Sequence, residues 1–162
     1  MYFEKPRLQE LQELPYAKNM ILAEILKLSN ESTQQIEFIK FCQDMHNRGI
    51  KHFKWIHHTP NGGFRDKNTA IKLAREGVKS GVWDIFVPMP RFQKAGLYIE
   101  FKWGSNLSDT QKEFHDDLKD YFHFAICRTP KSAKDLVMAY FQSSDYNEFR
   151  EKLREQGFEE KD

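Results

Sequence analysis

At 162 residues the chain has room for one domain with a real core, but not for two comfortable ones. Its 40% hydrophobic and 14% aromatic content excludes a disordered chain, and no stretch approaches the roughly 18 apolar residues that a membrane span needs. The formal net charge of +1 excludes nothing by itself; only its distribution is informative.

In chain order, residues 1–30 read as a leader with one helical pattern, Ile21, Leu22, Ile25 and Leu26, and without the apolar core of a secretory signal. Polar residues from Ser29 to Ser32 then cap a second helix with the apolar set Ile36, Ile39, Phe41, Cys42 and Met45, stopped by Asn47, Arg48 and Gly49. Glu31 and Gln35, four apart, project from one side of its first turn. Ile50 to His57, rich in aromatics, reads as a strand, and Thr59-Pro60-Asn61-Gly62-Gly63 as a turn. A helix follows over Lys67 to Glu76, with Ala70, Ile71, Leu73 and Ala74 apolar and Gly77 as its C-cap. Two short apolar runs, Trp83 to Val87 and Leu97 to Trp103, are separated by Pro88, Pro90 and Gly96 and read as a hairpin. Ser108-Asp109-Thr110-Gln111 fits a capping box opening a helix with Phe114, Leu118 and Phe122 inward. A short strand from His123 to Cys127 leads to a helix started by Thr129-Pro130, with Ala133, Leu136, Val137, Tyr140 and Phe141 inward. A last helix, Tyr146 to Gln156, carries Phe149 and Leu153. This order predicts an α/β protein: a small mixed sheet flanked by helices, with a right-handed parallel crossover from Trp103 to Phe124.

Between Ile50 and Gly81 seven basic residues face two acidic ones; from Asp145 onward seven acidic residues face four basic ones. A basic middle beside an acidic tail fits a locally bound polyanion, and equally a solvated surface of mixed charge. Cys42 and Cys127 lie far apart without metal-ligand spacing, which reads as buried thiols in a reducing cytoplasm.

Chemistry concentrates in the hairpin. Side chains alternate across a strand, so Glu100 and Lys102 share one face, opposite Leu97, Ile99, Phe101 and Trp103. Asp84 stands on the neighbouring run. Two carboxylates and a lysine are the parts of a metal-dependent phosphodiesterase: the acids hold Mg²⁺ or Mn²⁺, and the ammonium orients water or offsets charge. Taken alone, the same three residues also fit an ion pair across a sheet.

Five pieces in order remove much of that ambiguity: His58-Thr-Pro-Asn-Gly-Gly-Phe-Arg65, the helix over Lys67 to Glu76, Gly77-Val-Lys-Ser-Gly81-Val-Trp-Asp84, Gly96-Leu-Tyr-Ile-Glu100-Phe-Lys102, and Leu107-Ser-Asp-Thr-Gln111. Together they resemble the VRR-NUC nucleases of the PD-(D/E)xK superfamily, over Glu31 to Phe141. The resemblance implies a restriction-endonuclease-like core at 31–141, with the leader before it and a C-terminal helix and acidic tail at 142–162. It implies Glu31, Asp84, Glu100 and the main-chain carbonyl of Phe101 as ligands of Mg²⁺ or Mn²⁺. Lys102 would be the catalytic lysine, and Gln35 and Gln111 would line the site. Glu37 competes with Glu31 for the helix acid, but has no glutamine four residues later. The implied activity is hydrolysis of DNA, branched DNA such as four-way junctions in particular, by a homodimer in the cytoplasm of a bacterium or phage-infected host. A non-cleaving DNA-binding or assembly module and a restriction-type endonuclease are the other readings. The family's proline before the first acid is replaced here by Trp83.

Asn61, Gly62, Gly63 and Arg65 would meet DNA phosphate through backbone amides and guanidinium, or form only a tight turn with a solvated arginine. His57 and His58 are adjacent on a strand and point oppositely, which argues against a shared metal. His115 follows Gln111 by four and reads as a surface residue. Trp55, Trp83 and Trp103 fit core or dimer packing better than base stacking.

Overall fold

The computed structural model describes residues 31–60 and 67–155. The predicted leader, the phosphate-binding candidates Asn61, Gly62, Gly63 and Arg65, and the end of the acidic tail lie outside the described residues. Helix α1 spans Glu31–Asn47; a 3₁₀ turn, Lys51–Trp55, and the short strand β1, His57–His58, follow. Then come α2 (Lys67–Arg75), β2 (Ile85–Val87), β3 (Leu97–Phe101), α3 (Asp109–Leu118), β4 (His123–Cys127), α4 (Pro130–Gln142) and α5 (Tyr146–Glu155).

The four strands form one mixed sheet in sequence order. β1 pairs with β2, and β2 with β3, antiparallel; β3 and β4 are parallel, with Glu100 opposite Ile126. The parallel pairing is the one expected of a β–α–β passage through α3. Alternation along β2 and β3 sorts the side chains. Ile85, Val87, Leu97, Ile99 and Phe101 enter the larger core with Phe38, Leu136, Tyr140, Phe149 and Leu153 from α1, α4 and α5. On the other face Tyr98 packs with Trp83, Leu107, Phe124 and α3's Phe114 and Leu118.

Local signals explain most helix ends. Gly49 and Gly77 take φ of +98° and +95°. Each closes its helix with the paired bonds of a Schellman motif, Ile50 N–H to Met45 O with Gly49 to His46, and Val78 to Leu73 with Gly77 to Ala74. Ser108 and Thr129 each sit in a capping box, with Gln111 and Ser132 as reciprocal partners.

Three expectations are corrected. Ile50 to His57 is not a strand. Phe53 turns inward to 2% exposure while Trp55, which a strand would place on the same face, is 61% exposed. Phe53 packs on Phe41 and Phe141, at ring-centroid distances of 5.9 and 5.2 Å, and that packing selects the tighter 3₁₀ turn. On α1 the buried stripe is Gln34, Phe38 and Cys42, with Ile36 exposed, because residues three and four apart share the face that Phe38 sets against Phe101. Finally, the predicted apolar set of α2 is not buried: Leu73 is half-buried and Ala70, Ile71 and Ala74 are exposed.

Candidate active site

The hairpin strands are shorter than predicted, and the reason is chemical. Past the Ile85–Ile99 pair, the next ladder positions are taken over by carboxylates. Asp84 N–H donates to Glu100 Oε2 (3.1 Å), and Phe101 N–H donates to Asp84 Oδ2 (2.9 Å). Each acid therefore substitutes for a backbone acceptor of the opposite strand, and the strands end where the site begins. The Asp84 carbonyl is held from β1, accepting from His58 Nδ1 (2.9 Å) and Thr59 N–H (2.8 Å).

Glu100 is 2% exposed. Its Oε1 lies 2.8 Å from Lys102 Nζ and accepts from Gln111 Nε2 at 2.5 Å. Lys102 is itself buried, and its N–H donates to the Cys127 carbonyl (3.0 Å), so β4 fixes its backbone. Gln111 has a double duty. Its Oε1 accepts from Ser108 N–H (2.9 Å) as the N3 partner of the α3 capping box, which turns Nε2 toward Glu100. The helix cap thus orients the amide that meets the acid.

Burial, and next the negative charge of Asp84, push the Glu100 carboxyl up from 4.5 to about 7; Lys102 and the Asp84 N–H oppose them only in part. Between those values the folded protein keeps a proton that the unfolded chain has lost, so stability falls as pH rises through that window. The difference is worth on the order of 3 kcal/mol. Thermal melts in EDTA are expected to show wild type losing stability from pH 5 to pH 8 more steeply than Glu100→Gln. Parallel curves would refute the shift.

The structure brings Asp84, Glu100, Lys102 and Gln111 together. Glu31, at the start of α1, stands at the end of β3: its Oε1 accepts from Trp103 N–H (3.0 Å) and Ser105 Oγ (3.2 Å). Among the described residues no three His, Cys, Asp or Glu side chains converge as a metal-holding group. Glu37 is paired with Lys134 of α4 at 2.9 Å. Gln35 is half-buried, whereas its neighbour Gln34, absent from the sequence expectations, is buried with neither amide atom hydrogen-bonded. His115 is not a surface residue: it is 5% exposed and stacked on Trp83. Trp83 is fully buried as expected, but Trp55 and Trp103 are exposed.

No family model matches the chain, and no curated protein matches it. A solved structure described as a VRR_NUC domain protein aligns with 72% of this chain and 91% of its own, at a TM-score of 0.57 and 24% identity. The chain has the VRR_NUC fold. That fold accounts for the α/β class expected from the sequence, a mixed sheet of four strands flanked by helices. Asp84, Glu100 and Lys102 sit in this VRR_NUC fold where β2 and β3 part company.

Proposed function

We propose that the chain is a metal-dependent nuclease hydrolysing DNA phosphodiesters, acting on branched DNA such as four-way junctions as a homodimer. The observation that carries this reading is Glu100: a carboxylate buried beside a second acid, bonded to Lys102 and Gln111, and held well above its ordinary pKa. A purely structural acid gains little from such a place, since replacing a buried ion pair by apolar groups is often neutral or stabilising. Perturbed acids in tight charge clusters are instead a mark of functional sites.

The donor set fits Mg²⁺ or Mn²⁺, hard cations that take oxygen ligands. Asp84 and Glu100 would hold the ion with the Phe101 carbonyl, and Glu31 would join by exchanging its bonds to Trp103 and Ser105. When bound, the ion supplies positive charge against a phosphoryl oxygen and makes water a better nucleophile. Lys102 places an ammonium beside Glu100, where it offsets charge as the phosphate is attacked. Gln111 keeps the Glu100 carboxylate from rotating, so its orientation is set before substrate arrives. Lys51, Lys54, Lys67, Lys72, Arg75 and Lys79 are all exposed and supply the positive surface for the DNA backbone.

End-labelled linear, flap, splayed and four-way DNA, incubated with Mg²⁺ or Mn²⁺, would test the proposal. Cleavage strongest on the branched forms and absent in Glu100→Gln is the expected result. Failure to cut any of them would sink the nuclease reading, and metal-independent junction binding without product would replace it by a binding module. Discrete plasmid fragments would point to sequence-specific cleavage. A monomeric mass by light scattering would remove the homodimer.

A further inference from the structure

The loop that delivers Asp84 also grips α3. Gly81, at φ +85°, presses so close to the first turn of α3 that a Cβ there would lie 2.5 Å from the Thr110 carbonyl oxygen and 2.7 Å from its carbon. No other residue fits without moving backbone. Two residues on, Trp83 donates its indole N–H to the Gln111 carbonyl (3.0 Å). Its ring stacks on His115, one turn further along α3, with centroids 6.0 Å apart and planes 18° from parallel, and meets Phe124 edge-on at 4.8 Å. The Trp83 carbonyl accepts from Thr59 Oγ1, so the loop is anchored from the β1 side as well.

Gln111 has no slack. Its side chain is bonded at one end to Ser108 N–H and at the other to Glu100, while its main chain is bonded to Trp83. Where Gln111 Nε2 ends up relative to Glu100 therefore depends on where the first turn of α3 sits, and Gly81 and Trp83 hold that turn. We infer that Trp83 is a positioning residue of the site, acting through Gln111, with Gly81 as the residue that permits the approach. This rests on the nuclease reading of the site. A tryptophan serving only to fill space would leave the Gln111–Glu100 contact indifferent to its indole N–H.

The test uses the full chain with Mn²⁺ and the DNA cut best by wild type, comparing Trp83→Phe, Gln111→Ala and the double variant. Trp83→Phe keeps an aromatic ring and loses the N–H. Because small misplacements of site groups are costly, it is expected to lower kcat about tenfold with KM within about twofold. In the Gln111→Ala background the same change is expected to cost less than about twofold, since coupled residues are not additive. Equal losses in both backgrounds would overturn the inference and leave Trp83 as packing. A second readout needs no activity: the Gln111 side-chain amide resonance is expected to move in Trp83→Phe and in Gly81→Ala. An unmoved resonance in Trp83→Phe overturns the inference even if the protein cuts DNA. A moved resonance in a protein that cuts nothing upholds the clamp and removes only the nuclease reading. Trp83→Phe carries the test if Gly81→Ala fails to fold.

Discussion

Lys102→Ala is expected to lower the cleavage rate by a factor of about 10² to 10³, the usual cost of removing one preorganised charge from a transition state. The same change should cost the fold little near pH 6. Breaking a buried ion pair normally costs about 3 to 5 kcal/mol, because one charge stays behind unpaired. Here the partner is Glu100, already pushed up to about 7, which can take a proton in place of the ammonium. The penalty should therefore grow with pH, small at pH 6 and clear at pH 9, where neutralising Glu100 becomes expensive. Glu100→Gln, which keeps the volume without the charge, is the complementary variant: cleavage is lost while the stability of the metal-free protein changes less with pH than that of wild type. Single-turnover rates and thermal melts in EDTA measure both effects. A Lys102→Ala protein cutting within about threefold of wild type would remove Lys102 from the chemistry, since a lost charge contact costs far more.

The link between activity and pH-dependent stability at Glu100 follows from the way the hairpin is built, and that part was readable from residue order. Alternation along Leu97 to Phe101 separates Glu100 from the apolar face, and the capping box at Ser108 puts Gln111 on the first turn of α3. Both are local rules with short reach, and neither is overridden by packing. Other features depend on partners distant in sequence. Phe53 leaves the strand pattern because Phe41 and Phe141 receive it, and those lie 12 and 88 residues away. His115 is buried because Trp83 stacks on it and Phe124 meets it edge-on, partners that lie 32 and 9 residues away. The resemblance that named Glu31 could not foresee that its carboxylate would be bonded to Trp103 N–H and Ser105. Trp83, which stands where the sequence resemblance leads one to expect a proline, becomes intelligible only with the indole's acceptor in view.

Gln111→Glu separates the two duties of one side chain. As the N3 residue of a capping box, glutamate is as good a partner for Ser108 N–H as glutamine, so α3 should keep its N-terminus. Toward Glu100 the same change replaces a donor by a carboxylate facing Oε1, in a site that already holds Asp84. Like charges at that distance cannot all ionise in a buried place, so Glu100 and the new acid would share a proton and titrate together well above the ordinary carboxylate range. Cleavage at pH 7 is expected to fall at least about a hundredfold, comparable with losing a catalytic hydrogen bond. Stability should be close to wild type at pH 5 and lower at pH 8, the direction set by the retained proton. Gln111→Ala gives the contrast. It removes the cap's side chain and the contact to Glu100 together, so it should already lose roughly 1 kcal/mol at pH 5, where Gln111→Glu does not, and somewhat more at pH 8, where Glu100 is ionised and misses the donor. Melts of the two variants across that range, set beside their cleavage rates, distinguish a glutamine that orients an acid from one that only caps a helix. If Gln111→Glu melts in parallel with wild type at all pH values and still cuts, the amide is a cap and nothing more.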